Sequence, residues 1–186
     1  SSYAQAAAMA MGRAMDDVII TAASANAFTG ETGATSTAAQ TAIAAGGAGL
    51  TIAKLRTAKQ TFDIGDVDPS IPRHIVVGPE QITNLLATTE VTSSDFNTVK
   101  ALVQGEINSF LGFNFTVSNR LSKTGNDRTC IAFAQDGITL AIGKDISARI
   151  DERADKSYAT QVYYCQTIGA TRMEEAKVLG IVCQEA

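Results

Sequence analysis

The sequence predicts an α+β fold in which a long N-terminal helix packs on a C-terminal β-sheet, with a second α+β unit inserted between them. Three observations carry this. One apolar stripe runs at helical spacing from Ala7 to Ala25. From Arg128 onward the chain changes to β-branched and aromatic runs. Between them, Arg73 to Leu121 reads as strand, helix, helix, strand. A helix with a single apolar stripe must bury it against another layer, and the final strands are its natural partner.

The stripe consists of Ala7, Met11, Ala14, Met15, Val18, Ala22 and Ala25. Alanine-rich sequence favours helix by propensity. A helix over residues 2–25 is roughly 35 Å long at about 1.5 Å per residue. Its Met11, Met15 and Val18 face is expected to meet the C-terminal sheet, and its small residues allow close approach. Arg13 and Asp17 lie one turn apart, in the weaker orientation for a helix pair, and read as a solvated face. Ala27 to Gly49, rich in Gly, Ala and Thr, reads as a flexible loop with a short strand or helical turn near Ala38 to Ala45. Leu50 to Phe62 is a second helix, with Ile52, Leu55, Ala58 and Phe62 on one face. Asp68-Pro69 and Ile71-Pro72 then keep the chain extended.

His74 to Val77 is a short strand that stops at Gly78. Pro79 then stands at a first helical position, and Gln81 to Leu86 carry the turn. Thr92-Ser93-Ser94-Asp95 starts another helix, with Phe96, Val99, Leu102 and Val103 at helical spacing. Gly112 to Val117 closes the unit as a strand. Thr129 to Phe133 and Ile138 to Ile142 are expected to form a hairpin through Gln135-Asp136-Gly137. Asp145 to Asp155 is mixed in character. Tyr158 to Gly169 and Ala176 to Gln184 are long strands of the final sheet. In the first of these, Val162, Tyr164 and Ile168 share one face and Tyr163 and Cys165 the other. The expected division is 1–49 and 142–186 as one domain and 50–141 as the inserted one.

The 186 residues are 45% hydrophobic and 18% charged, with a net charge of −4. That is a globular chain with fewer charges than the roughly 25% usual for soluble domains, which leaves more surface for partners to cover. No Lys/Arg cluster marks a nucleic-acid-gripping face, and no apolar run approaches the ~20 residues of a membrane span. Cys130, Cys165 and Cys183 cannot all pair with one another. Their apolar, strand-like surroundings read as buried, reduced thiols, which fits synthesis in a reducing cytosol.

The candidate chemistry is thin. His74 is the single histidine, too little for a zinc site or a histidine-based triad. Gly46-Gly47-Ala48-Gly49 has the glycines of a phosphate cradle without its Gly-Lys-Ser/Thr ending. Asp63, Asp66 and Asp68 lack the glycine and the closing glutamate of a calcium loop. Lys123-Thr124-Gly125 has no companion Ser-x-x-Lys. Asn114-Phe115-Thr116 is a glycosylation sequon in spelling only. Glu174-Glu175, beside Arg172 and Lys177, reads as a charged turn, with contact to a neighbouring subunit as its functional alternative. No catalytic, cofactor-binding or metal-ligating residue is expected, and the chain is not read as an enzyme.

The segments IPRHIVVGPEQITNLL, SSDFN, LVQGEINSFLGFNFTVSNRL and IGATRMEEAKVLGIVCQEA, in that order and spacing, resemble the major capsid proteins of tailed bacteriophages, which have the Hong Kong 97-type fold. The resemblance runs from about Met11 to the C-terminus. It implies that the first helix is the spine of a peripheral domain and that the middle builds an axial domain facing the capsomer centre. It also implies a shell subunit that self-assembles in hexameric and pentameric capsomers into an icosahedral head around DNA, without sequence-specific grip. Scaffold, portal and decoration proteins are the further partners, with synthesis in the bacterial host cytoplasm and residence in the virion. The family's N-terminal arm and extended loop have no counterpart here, and the chain opens Ser1-Ser2-Tyr3. A processed or trimmed fragment is therefore expected, monomeric or weakly oligomeric by itself. Two alternatives stand beside this reading: an encapsulin-type nanocompartment shell, and a small hydrolase or binding domain.

Overall fold

A computed structural model describes residues 2–87 and 109–185. The architecture is α+β, as the sequence predicts. In chain order the elements are α1 (Ser2–Ser24), β1 (Ala27–Thr29), β2 (Thr35–Thr37), α2 (Ile52–Ile64), β3 (Arg73–Val77), α3 (Pro79–Ala87), β4 (Ser109–Phe110), β5 (Phe113–Val117), β6 (Lys123–Thr124), β7 (Asp127–Ala134), β8 (Ile138–Arg153), β9 (Ala159–Arg172) and β10 (Val178–Gln184). The helix expected from Thr92 lies outside the described residues.

The core is built on a sheet of order β10-β7-β3-β5-β4, with β6 also paired to β7. β3 and β5 run parallel, joined by a crossover that includes α3, and the other pairs are antiparallel. α2 buries Ile52, Leu55, Ala58 and Phe62, the four residues the helical spacing selects. Its start is capped by Thr51, whose side chain accepts from the Lys54 amide. The Phe62 ring lies 5.9 Å from that of Phe113 on β5. α3 begins at Pro79, as expected, and buries Gln81, Ile82 and Leu85.

Two strand pairings differ from expectation. β7 and β8 do not form a hairpin: β7 pairs with β10, β3 and β6, whereas β8 pairs with β9. The segment 135–137 passes the chain from one sheet to another. Likewise, the strand expected over Ala176 to Gln184 leaves the β9 sheet and returns to the core as β10. A period of two marks a segment as strand but is silent on its neighbour, and burial decides between the candidates. Val178, Leu179, Ile181 and Cys183 are all buried, so β10 needs covering on both faces. A two-stranded ribbon cannot supply that, and the core sheet can.

The Gly/Ala/Thr segment after α1 is structured where a flexible loop was expected. β1 and β2 form a hairpin. Ile43 then lies along the outer edge of β10: its amide donates to the Gly180 carbonyl at 2.9 Å, and its carbonyl accepts from the Val182 amide at 2.8 Å. A Cβ on Gly180 would stand 3.1 Å from the Ala42 Cβ, so a small residue there lets the covering segment approach. An edge that would otherwise invite foreign strands is closed. Lys54 locks this arrangement, its buried ammonium donating to the carbonyls of Ala48, Gly49 and Val182 at 2.7, 2.9 and 3.0 Å.

β8 and β9 form a separate antiparallel ribbon, and α1 lies along β9. Tyr164 donates to the Ala4 carbonyl, Gln166 to that of Met11, and Arg172 to that of Ala23, so helix and strand run in the same direction. The lengths match: 19 helical steps rise about 28 Å, and eight strand steps about 26 Å. Met11, Met15 and Val18 are half-buried, as are Tyr164, Gln166 and Ile168 of the face that meets the helix. Two register shifts, between Ile142 and Lys144 and between Lys144 and Ser147, interrupt β8. One shift would have turned its apolar residues to the other face, whereas two restore them, so that Ile150 stands opposite Val162.

Candidate functional site

The surface that sets this chain apart is the ribbon. At about 3.3 Å per residue its 16-residue β8 reaches roughly 50 Å. Among the described residues no third strand pairs with either β8 or β9, so both outer edges are open along most of their length. Toward the tip, Ile150 is 63% exposed, Val162 38% and Tyr163 50%. Ile150 and Val162 continue the strip that α1 covers nearer the core. A two-stranded ribbon is marginal in water without further packing. This one displays apolar side chains and unpaired backbone where α1 does not reach.

The base of the ribbon is anchored by Arg172. Its side chain is fully buried and donates to the carbonyls of Ala23 and Ala25 at 3.2 and 2.7 Å and to that of Thr37 at 3.1 Å. The last carbonyls of α1, which no helical N–H can reach, are thereby satisfied, and the β1–β2 hairpin is tied to the same point. Further along α1, Asp17 is held in a two-pronged ion pair by Arg120, from the loop after β5. This is the partner Asp17 takes, where the helical spacing had set Arg13 beside it. Lys177 bridges Asp136 and Glu174 at 2.7 and 2.8 Å, which raises its pKa, while Glu175 lies 3.9 Å from Arg172.

On the core sheet a second buried charge, Glu185, takes Gln81 Nε2 at 3.1 Å, Lys123 Nζ at 2.5 Å and the Arg128 guanidinium. The Arg128 hydrogen bonds, with help from Lys123 and Gln81, hold its carboxyl at about 2 against an ordinary 4.5. Arg73, also buried, pairs with Asp63 at 2.8 Å, donates to the Val67 carbonyl and lies over the Phe62 ring.

None of these groups converges on a reaction centre. The His74 ring stacks on Phe133, 5.6 Å between centroids. Asp63 goes to Arg73 and Asp68 accepts from the Ser70 amide, so two of the three aspartates are spent separately. The carbonyls of Ala48 and Gly49 turn to Lys54, the wrong polarity for a phosphate cradle. Lys123 of Lys-Thr-Gly serves Glu185. Among the described residues no group of three His, Cys, Asp or Glu could hold a metal ion, and no helix is long and apolar enough to cross a membrane. A groove of about 550 Å³ beside α1 and β9 is lined by Val18, Ala22, Phe28 and Gly169, and of its polar members Asp17 and Asn26 are already paired with Arg120 and Ser36.

The three cysteines are unbridged. Cys130 and Cys183, on neighbouring strands, are buried, and contact with Cys183 together with burial pushes the Cys130 thiol up. Cys165 departs from the expected burial: it is half-buried on the ribbon. Hydrogen bonds from Ser147 and Lys144 lower its pKa. A disulfide reagent at neutral pH is expected to titrate one thiol per native chain and three after unfolding. Three fast thiols in the native protein, or only one after unfolding without reductant, would contradict this assignment.

Comparison with solved structures finds the same fold in phage capsids of the Hong Kong 97 type. The capsid chain of Mycobacterium phage Che8 superposes with a TM-score of 0.69 at 20% identity, over 96% of this chain and 61% of that one. The cyanophage Pam1 capsid gives 0.68 at 12% identity, over 98% and 68%, and the head of Helicobacter pylori bacteriophage KHP40 gives 0.65 at 14%, over 94% and 66%. The chain thus spans about three fifths to two thirds of the length of these relatives. No curated protein matches the sequence. Residues 1–185 match the family model described as phage capsid protein, and on that match the chain belongs to the phage capsid protein family.

Proposed function

We propose that this chain is a shell subunit of a phage head, one of many copies that form hexameric and pentameric capsomers and close into an icosahedral container for DNA. The observation that carries the reading is the ribbon, with its open edges and its Ile150 and Val162 uncovered by any described part of the chain. Such an element is completed by neighbours. Ring contacts within a capsomer are head-to-tail, so one patch meets a different patch on the next copy. A net charge of −4 suits a container that encloses DNA without gripping it. Scaffold, portal and decoration proteins complete the partner set, with synthesis in the host cytoplasm and residence in the virion.

The division of labour follows the two sheets. The helix and ribbon form the peripheral unit. The six-stranded sheet with α2 and α3 forms the axial unit, to which we assign β10 because it pairs with β7. The isolated 186-residue chain is proposed to be a monomer or weak small oligomer, since stable interfaces generally bury on the order of 1,200–2,000 Å² and the relatives it resembles are longer.

The test is assembly of the complete gene product carrying Ile150→Asp and Val162→Asp. Both positions are exposed, so the melting temperature should stay within about 2 °C of wild type. Particle yield in electron micrographs should fall at least tenfold. Wild-type yield from the double variant would remove the ribbon from the assembly surface.

A further inference from the structure

The helix and ribbon form an arm attached to the core at one end. Among the described residues, the arm's members that join or pack against the core cluster are Ala23, Ile20 and Ile138, all near the base. Within the arm, Tyr164, Gln166 and Arg172 tie β9 to α1 along its length. The base is fixed by the buried Arg172 and by the two connecting segments, where the Met173 amide donates to the Gly137 carbonyl at 2.9 Å. Away from the base, among the described residues, one side-chain ion pair links arm to core, that of Asp17 on α1 with Arg120. Its two side chains are 43% and 39% exposed.

These positions describe a lever. Asp17 stands six residues from Ala23, about 9 Å along the helix axis. The ribbon tip is roughly 50 Å from the base. Opening the ion pair by about 2 Å would tilt the arm by about 13° and move the tip by about 10 Å, given those two lengths. Exposed ion pairs are weak and salt-screened, so this one opens far more readily than the buried Arg172 contacts. We infer that Asp17 and Arg120 are a releasable latch that sets the angle between the arm and the core, with Arg172 as the pivot. The inference concerns the single chain and holds whether or not it builds shells.

Residual dipolar couplings on the 15N-labelled 186-residue chain test it, comparing β3 and β7 amides with β8 and β9 amides. In wild type at low salt, one alignment tensor should fit both sets. In Arg120→Gln the ribbon set should require a second tensor, smaller by about a third or more, while couplings within each sheet keep their relative values. Asp17→Asn should do the same, and the charge-exchanged pair Asp17→Arg with Arg120→Asp should restore a single tensor. Both sites of change are on the surface, so the variants are expected to fold and to melt within about 2 °C of wild type. A single tensor of unchanged size in both Arg120→Gln and Asp17→Asn would overturn the latch. So would failure of the charge-exchanged pair to restore it.

Discussion

Arg172→Met is expected to lower the melting temperature by about 10 °C. The substitution keeps most of the hydrophobic stem but removes every donor from a fully buried site, leaving the carbonyls of Ala23, Ala25 and Thr37 without this partner. An orphaned buried carbonyl costs on the order of 1 kcal/mol or more, which puts the total near 3 kcal/mol. In a chain of this size each kcal/mol shifts the midpoint by about 2–4 °C. Amide exchange should rise first at the end of α1 and in the β1–β2 hairpin, the elements the guanidinium joins. Arg172→Lys should recover only part of the loss, because one ammonium cannot reach carbonyls lying in different directions as a planar fork does. A thermal melt within 2 °C of wild type would mean that Arg172 is not the anchor described here.

The second large effect is expected at Glu185. Glu185→Gln leaves the half-buried Arg128 without its carboxylate and Lys123 without its partner, at a cost of about 2–3 kcal/mol at neutral pH. The figure lies at or below the low end for buried pairs because the Lys123 side chain is 39% exposed. The pH dependence follows from the lowered pKa. Above the ordinary value of 4.5 the carboxylate is charged in both folded and unfolded chains, and its stabilisation is fully present. As pH falls from about 4.5 toward about 2, the unfolded chain takes up the proton first and the stabilisation is lost. Denaturant titrations should therefore show a gap between wild type and Glu185→Gln that is full at pH 6–7 and closes toward pH 2. A gap that stays constant from pH 7 to pH 2 would separate Glu185 from the acid response.

Both groups were hard to see in the sequence, and for one physical reason. Arg172, Glu174, Glu175 and Lys177 are spaced like a solvated turn. Arg172 is buried because Ala23, Ala25 and Thr37, 149 to 135 residues away, fold onto it. Glu185 stands one residue from the end of the chain and gains its partners from β6, β7 and α3. Local signals were reliable where local physics governs. In the first stripe Ala7, Met11, Met15 and Val18 are half-buried while Ala14 is exposed, and the Gly78-Pro79 helix start and the Ile52–Phe62 face appear where spacing and capping put them. Pairing was legible only in part. Gln135-Asp136-Gly137 has the composition of a hairpin turn, yet it carries the chain between sheets. Turn residues permit a reversal of the chain without specifying which strand lies beside which. The ribbon surface was half legible: alternation in Tyr158 to Gly169 showed two partly apolar faces. That Ile150 and Val162 lie beyond the described part of α1 depends on how helix and strand align in space.

The most direct test of the central claim is cryo-electron microscopy of the purified product of the complete gene. The account predicts uniform closed particles in which the β8–β9 ribbon of each subunit lies against neighbouring copies, with Ile150 and Val162 buried at those contacts. A product that remains monomeric at micromolar concentration, or particles whose ribbons stand free in solvent, would contradict it.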